Sequence, residues 1–223
     1  MDLDNINVKQ IRSNRTTIAL NVDSSGMVIL RTPHNVNSKL IDDFITKNRD
    51  WIITRVIESK RNIKTYNFTI GSSVPFMGEF YILKENSSLK SINMESMFIE
   101  LPSSTNIKKQ LLAWYKSYCR KEILKLVNHY TELLEITYNR VFIKNQKTRW
   151  GSCSGKRNLN FNWKIILTKP SLINYLVIHE VCHLVEMNHS KRYWDLVKKY
   201  DKNFVSHRRE LLKYSYYLST FIE

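Results

Sequence analysis

Residues 171–189, SLINYLVIHEVCHLVEMNH, constrain this chain more than any other stretch. The spacing predicts a helix over 171–187. Its apolar residues Leu172, Ile173, Tyr175, Leu176, Val177, Ile178, Val181, Leu184 and Val185 cover nearly every face, so the helix has to be buried. Set into it are His179, Glu180, His183 and Glu186, with His189 just beyond. A buried polar group without a partner costs about 1–3 kcal/mol, against a whole-protein stability of about 5–15 kcal/mol. Chance placement of so many such groups is therefore disfavoured, and a cation would satisfy several at once.

On a helix, His179 and His183 project from one face one turn apart, so that both imidazoles can hold a single Zn2+ ion at about 2 Å. Glu180, one step round, can reach a water at the metal without being a ligand; this is the H-E-x-x-H arrangement. A catalytic zinc takes three protein ligands and keeps one position open. His189 is the favoured third ligand, because Asn188 tolerates the left-handed conformation that ends helices and a reversal there returns His189 to the metal. Its rivals are Glu186, on the same face, and Glu210, on a later helix. Metzincins share the H-E-x-x-H-x5-H spacing, but they carry Gly where Glu186 stands and no Met-turn is evident here.

The rest of the chain bounds the setting. Hydrophobic residues make up 43% and charged residues 25%, as in ordinary globular proteins. No run approaches the roughly 18 apolar residues of a membrane span, and the start MDLDNINVKQ lacks the basic and apolar regions of a secretory signal. Three cysteines without a CxxC pair argue against a disulfide framework, and the expectation is a cytoplasmic protein. Residues 1–102 hold 13 basic and 11 acidic side chains, residues 103–223 hold 22 and 9. The basic second half suits a polyanion or nucleic acid partner, although Lys- and Asn-rich composition accounts for part of that charge.

Two styles of sequence meet near Pro102. Before it, TTIALNV (16–22) and GMVILRT (26–32) read as a hairpin, SKLIDDFITKNRDWIITRVIESK (38–60) as one amphipathic helix, and NFTIG, EFYILK and MFIELP as strands. After it, 106–136 reads as a long helix, RVFIKN (140–145) and LNFNWKIIL (159–167) as strands flanking the loop KTRWGSCSGKRN, and 190–200 and 205–222 as further helices. The expected architecture is α+β. A β-rich subdomain with one helix spans 1–103, and a second domain with a short sheet packed on the metal helix spans 104–223.

With KTRWGSC (147–153), NFNW (160–163), HEVCH (179–183) and NHSKRYW (188–194), the chain resembles the YgjP-like family of metal-dependent hydrolases, related to SprT-like and WLM zincin-type metallopeptidases. RTP (31–33), Trp51-Ile52, Gly78, Tyr81 and Trp114-Tyr115 extend the likeness over nearly the whole chain, while the proline expected after the NHS…W segment is missing from DKNFVSH. The resemblance implies His179, His183 and His189 as zinc ligands and Glu180 as catalytic acid/base.

Arg149, in the loop before the metal helix, either grips a substrate carboxylate or phosphate or locks its loop. Cys182 and Cys153 read as small buried hydrophobes, Trp194 as core, and Tyr193 as packing or an electrophile. His34, His129 and His207, like the KR, KK and RR pairs at 191–192, 198–199 and 208–209, read as packing or surface residues. The expected chemistry is peptide hydrolysis by metal-activated water with Glu180 as general base. The alternatives are a nucleoside triphosphate pyrophosphohydrolase and a nucleic-acid-binding module with a structural zinc.

Overall fold

A computed structural model describes residues 8–23, 26–61, 66, 68–215 and 221. The chain divides into two compact units, Met1–Thr65 and Tyr66–Glu223.

In the first unit, β2 (Ala19–Val22) and β3 (Val28–Pro33) form the expected antiparallel hairpin, with Leu20 opposite Leu30. The Asp23 carboxylate closes its turn by accepting from the Met27 amide at 3.0 Å, and Gly26 supplies the left-handed residue with φ 85°. β1 (Val8–Ser13), which sequence patterning did not mark, pairs parallel to β3 on the other side, giving the order β1-β3-β2. The expected single helix over 38–60 is two, α1 (Ser38–Lys47) and α2 (Arg49–Arg61). Asn48 separates them: its side-chain amide donates to the Phe44 carbonyl at 2.7 Å, competing with the helix for that acceptor. Val28, Ile52 and Val56 form a small core of their own.

The second unit opens with β4 (Ser73–Phe76), β5 (Glu79–Glu85), β6 (Asn93–Glu95) and β7 (Phe98–Leu101), in the order β4-β5-β7-β6. Within the expected strand NFTIG, Thr69–Gly71 form a turn closed by the Ser72 amide on the Thr69 carbonyl. The long helix α3 (Ile107–Leu133) follows. Val74, Phe76, Leu83, Ile99 and Leu101 of the sheet share one core with Leu111 and Tyr115 of α3 and with Trp163. The Tyr115 hydroxyl donates to the Pro75 carbonyl at 2.8 Å inside that core. The compact units divide at Thr65/Tyr66, and the sheet over 73–101 buries its apolar residues with the helices that follow it.

A second sheet has the order β8-β10-β9: β8 (Arg140–Lys144) parallel and β9 (Gly151–Cys153) antiparallel to the central β10 (Asn158–Asn162). β9 lies within the segment expected to be loop. The expected strand over 159–167 ends at Asn162, whose side chain accepts from the Lys164 amide and starts a 3-10 turn over Trp163–Leu167. The helix α4 (Pro170–Cys182) begins with proline in its first turn, and Leu172, Ile173 and Tyr175 through Ile178 are all buried. α5 (Lys191–Tyr200) and α6 (Phe204–Lys213) complete the described chain; residues 216–220 and 222 of the expected last helix lie outside it. The fold is α+β. No helix among the described residues is long and apolar enough to cross a membrane.

Candidate metal centre

α4 ends one residue before His183, not at Met187 as its composition suggested. His183 is the C-cap, and Leu184 and Val185 turn back with their amides on the carbonyls of Val181 and Cys182. Arg157 holds this turn from outside the helix: its guanidinium donates to the Leu184 carbonyl at 3.3 Å and also to the Thr137 carbonyl. The reversal uses no left-handed Asn188; the described non-glycine residues with positive φ are Met77, Ser96, Glu135 and Arg157. Ser190 then caps α5 by accepting from the Tyr193 amide.

The result is a cluster of three imidazoles. One ligand nitrogen from each of His179, His183 and His189 lies within 4.8 Å of the others. The Nε2 atoms of His179 and His189 are 3.3 Å apart, the edge expected of a tetrahedron whose nitrogens stand about 2.0–2.1 Å from a zinc ion. His183 Nδ1 is 3.1 Å from the Glu186 carbonyl, which fixes the ring with Nε2 as the free lone pair. Burial and the neighbouring rings push His179 down to about 3, and burial lowers His183 and His189 as well, so the cluster is neutral near neutral pH. Neutral imidazoles are the form that binds a divalent cation. The residues present fit one.

Neither rival for the third position is grouped with the three histidines. Glu210 pairs with Lys169 Nζ at 2.8 Å, and Glu186 meets His183 through its backbone carbonyl. Among the described residues no fourth His, Cys, Asp or Glu joins the three histidines.

Glu180 is 4% exposed, with its carboxyl raised by burial to about 8 and opposed by the charge of Arg149. It packs against β9 so closely that a Cβ on Gly151 would stand 2.5 Å from its Oε1. The Arg149 side chain is exposed and forms no hydrogen bond or ion pair with another described residue; its backbone carbonyl accepts from Asn162 Nδ2 at 3.2 Å. Asn162 Nδ2 also reaches the Gln146 carbonyl, so one buried amide holds the loop carrying Arg149 beside α4.

Aromatic rings support the cluster. Tyr193 stacks on His183 at 4.4 Å and donates from its hydroxyl to the His179 carbonyl at 2.9 Å; burial raises that hydroxyl far above the ordinary tyrosine range. Trp194 is half-buried and stacks on His189 at 5.3 Å.

The sequence profile of the YgjP-like family, metallopeptidase domain, matches residues 16–214. The chain belongs to this family. It is a metal-dependent hydrolase of the metallopeptidase type. Two solved structures are similar to part of it. The metallopeptidase zymogen jannalysin of Methanocaldococcus jannaschii is 21% identical, covering 41% of this chain and 94% of its own, with a TM-score of 0.37. The metallopeptidase zymogen abylysin of Pyrococcus abyssi is 20% identical, covering 40% and 91%, with a TM-score of 0.38. Comparison with curated protein sequences gives no match.

Other expectations sort by position. Cys182 is buried, its thiol pushed up to about 12, and half-buried Cys153 rises to about 11, so neither offers a thiolate at neutral pH. His129 is exposed. His207 is not a lone residue: its Nδ1 lies 2.7 Å from Asp201 Oδ2. Sequence reasoning missed Gly151, Arg157 and Arg208. For Gly151 a signal existed, since it is one of only five glycines and stands in KTRWGSC. For Arg157 none did, because its partners Thr137 and Leu184 are distant in sequence.

Proposed function

We propose that this family member is a zinc peptidase, with His179, His183 and His189 holding the ion and Glu180 as general base. One observation carries the reading: three neutral imidazoles converge beside a buried carboxyl, with no fourth protein donor among the described residues. A structural zinc would have a closed set of four. When bound, zinc supplies Lewis acidity and lowers the pKa of water from about 15.7 towards 7.

The protein's own groups supply the proton handling. Glu180 takes the proton of the attacking water on its carboxylate and returns it to the departing amine nitrogen. A carboxyl held near neutrality by burial is suited to both transfers. Arg149 tempers that rise, and its guanidinium orients the substrate in this reading. Gly151 gives Glu180 the room to lie against β9.

Metal analysis and turnover of Glu180→Gln test the proposal, with a peptide library assayed beside pyrophosphate release from nucleoside triphosphates. The expected result is full zinc content, no peptide cleavage by the variant, and cleavage by the unaltered protein. Retained activity in Glu180→Gln, or pyrophosphate release in place of peptide cleavage, overturns it.

A further inference from the structure

Two rings stack on Trp194. His189 stacks on it at 5.3 Å with 20° between planes, and Phe204 of α6 at 5.5 Å with the same angle. Arg208, one helical turn after Phe204, holds its guanidinium 5.1 Å from the Trp194 centroid. An arginine on an indole face keeps its N–H donors in one plane and free to bind elsewhere. The acids nearest in sequence have other partners, Asp201 the His207 ring and Glu210 the Lys169 ammonium. No acid among the described residues pairs with Arg208, and its side chain is exposed.

We propose that Arg208 forms a carboxylate-binding subsite at the rim of the histidine cluster, so that the substrate is a peptide carrying a carboxylate next to the bond to be cut. Trp194, stacked on His189, orients the guanidinium. The carboxylate is either an acidic side chain or the free C-terminus of the peptide. The proposal rests on the peptidase reading for its substrate, but its test reads binding and not turnover.

The probes are N-acetylated pentapeptides, Ala-Ala-Glu-Ala-Ala and Ala-Ala-Gln-Ala-Ala, each with a free or an amidated C-terminus. They are titrated by calorimetry into full-length, zinc-supplemented Glu180→Gln protein, which binds without cleaving. The expected result is that a carboxylate-bearing peptide binds at least about tenfold tighter than the doubly neutral one, as one charge-assisted hydrogen-bonded pair gives. The position of the preferred carboxylate tells side chain from C-terminus. Adding Arg208→Gln should bring the ratio close to one, and Arg208→Lys should restore part of it. Arg209→Gln removes the same formal charge from the neighbouring exposed position and should leave the ratio unchanged, which excludes general attraction to a chain of net charge +15.

Equal binding of acidic and neutral peptides, no binding of any, a preference that survives Arg208→Gln, or an equal loss in Arg209→Gln overturns the proposal. Failure of the peptidase reading is seen separately, as absence of cleavage by the unaltered protein.

Discussion

The Glu180 carboxylate lies against the backbone of Gly151 with no space for a side chain between them: a methyl group there would meet Oε1 at 2.5 Å and Cδ at 2.9 Å. A strand of three residues thereby sets the position of the proposed general base. Gly151→Ala should displace Glu180 while sparing the histidines. The expected outcome is a drop in kcat of about 10²-fold, within the contribution of a positioned acid–base group, with zinc content unchanged by metal analysis. Loss of zinc instead would place the damage at the ligands.

Stability of chelator-treated protein should depend on pH in two opposed ways. Burial lowers His179 from 6.5 to about 3, so the unfolded chain binds more protons in that window and stability is lost as pH falls below 6.5. Burial raises Glu180 from 4.5 to about 8, so the folded chain binds more protons there and stability is lost as pH rises through that window. These two slopes oppose each other between 4.5 and 6.5, while the lowered His183 and His189 add to the acid side. Above 6.5 Glu180 is left, with a slope of at most about 1.4 kcal/mol per pH unit. Melting curves from pH 6.5 to 8 should therefore fall for the unaltered protein and flatten for Glu180→Gln. Parallel curves would sink the account.

Removing the Tyr193 hydroxyl strips a partner from the His179 carbonyl. Tyr193→Phe should cost about 1–3 kcal/mol, a fall in Tm of roughly 2–10 °C for a domain of this size. Its Phe ring should still stack on His183, so zinc binding should change little in competition titrations. A tyrosine acting as electrophile would show the opposite pattern, with unchanged Tm and a large loss of kcat.

Arg157→Ala releases the turn after α4 from its tie to Leu184. Because His189 follows that turn, zinc affinity should weaken by about 10–100-fold, the range for groups that orient ligands, with the three imidazoles retained. Unaltered affinity would mean that the turn holds its shape alone.

How much of this was legible in the sequence depends on range. The pair His179 and His183 was, because helix periodicity and the apolar flanks of α4 are local, and the structure brings His189 beside them. The end of α4 was not. LVEM has good helix formers, and the turn that replaces the helix is held by Arg157, 27 residues before Leu184. Nor was the core that the strands at 73–101 share with α3 and the 3-10 turn, whose residues are also distant in sequence. Arg208 looked like half of a solvated pair, and its contact with Trp194, itself stacked on His189, distinguishes it from Arg209.

The three imidazoles are anchored unequally. Two belong to a stretch packed tightly inside the protein, where a change of volume disturbs the closely packed side chains around it, whereas His189 sits on a short exposed connector. Residues added or removed between Val185 and Ser190 would change the reach or identity of the last donor without repacking the interior. Within this architecture, diversification of the centre is cheapest at that bend, and that is where altered metal preference should first arise under selection.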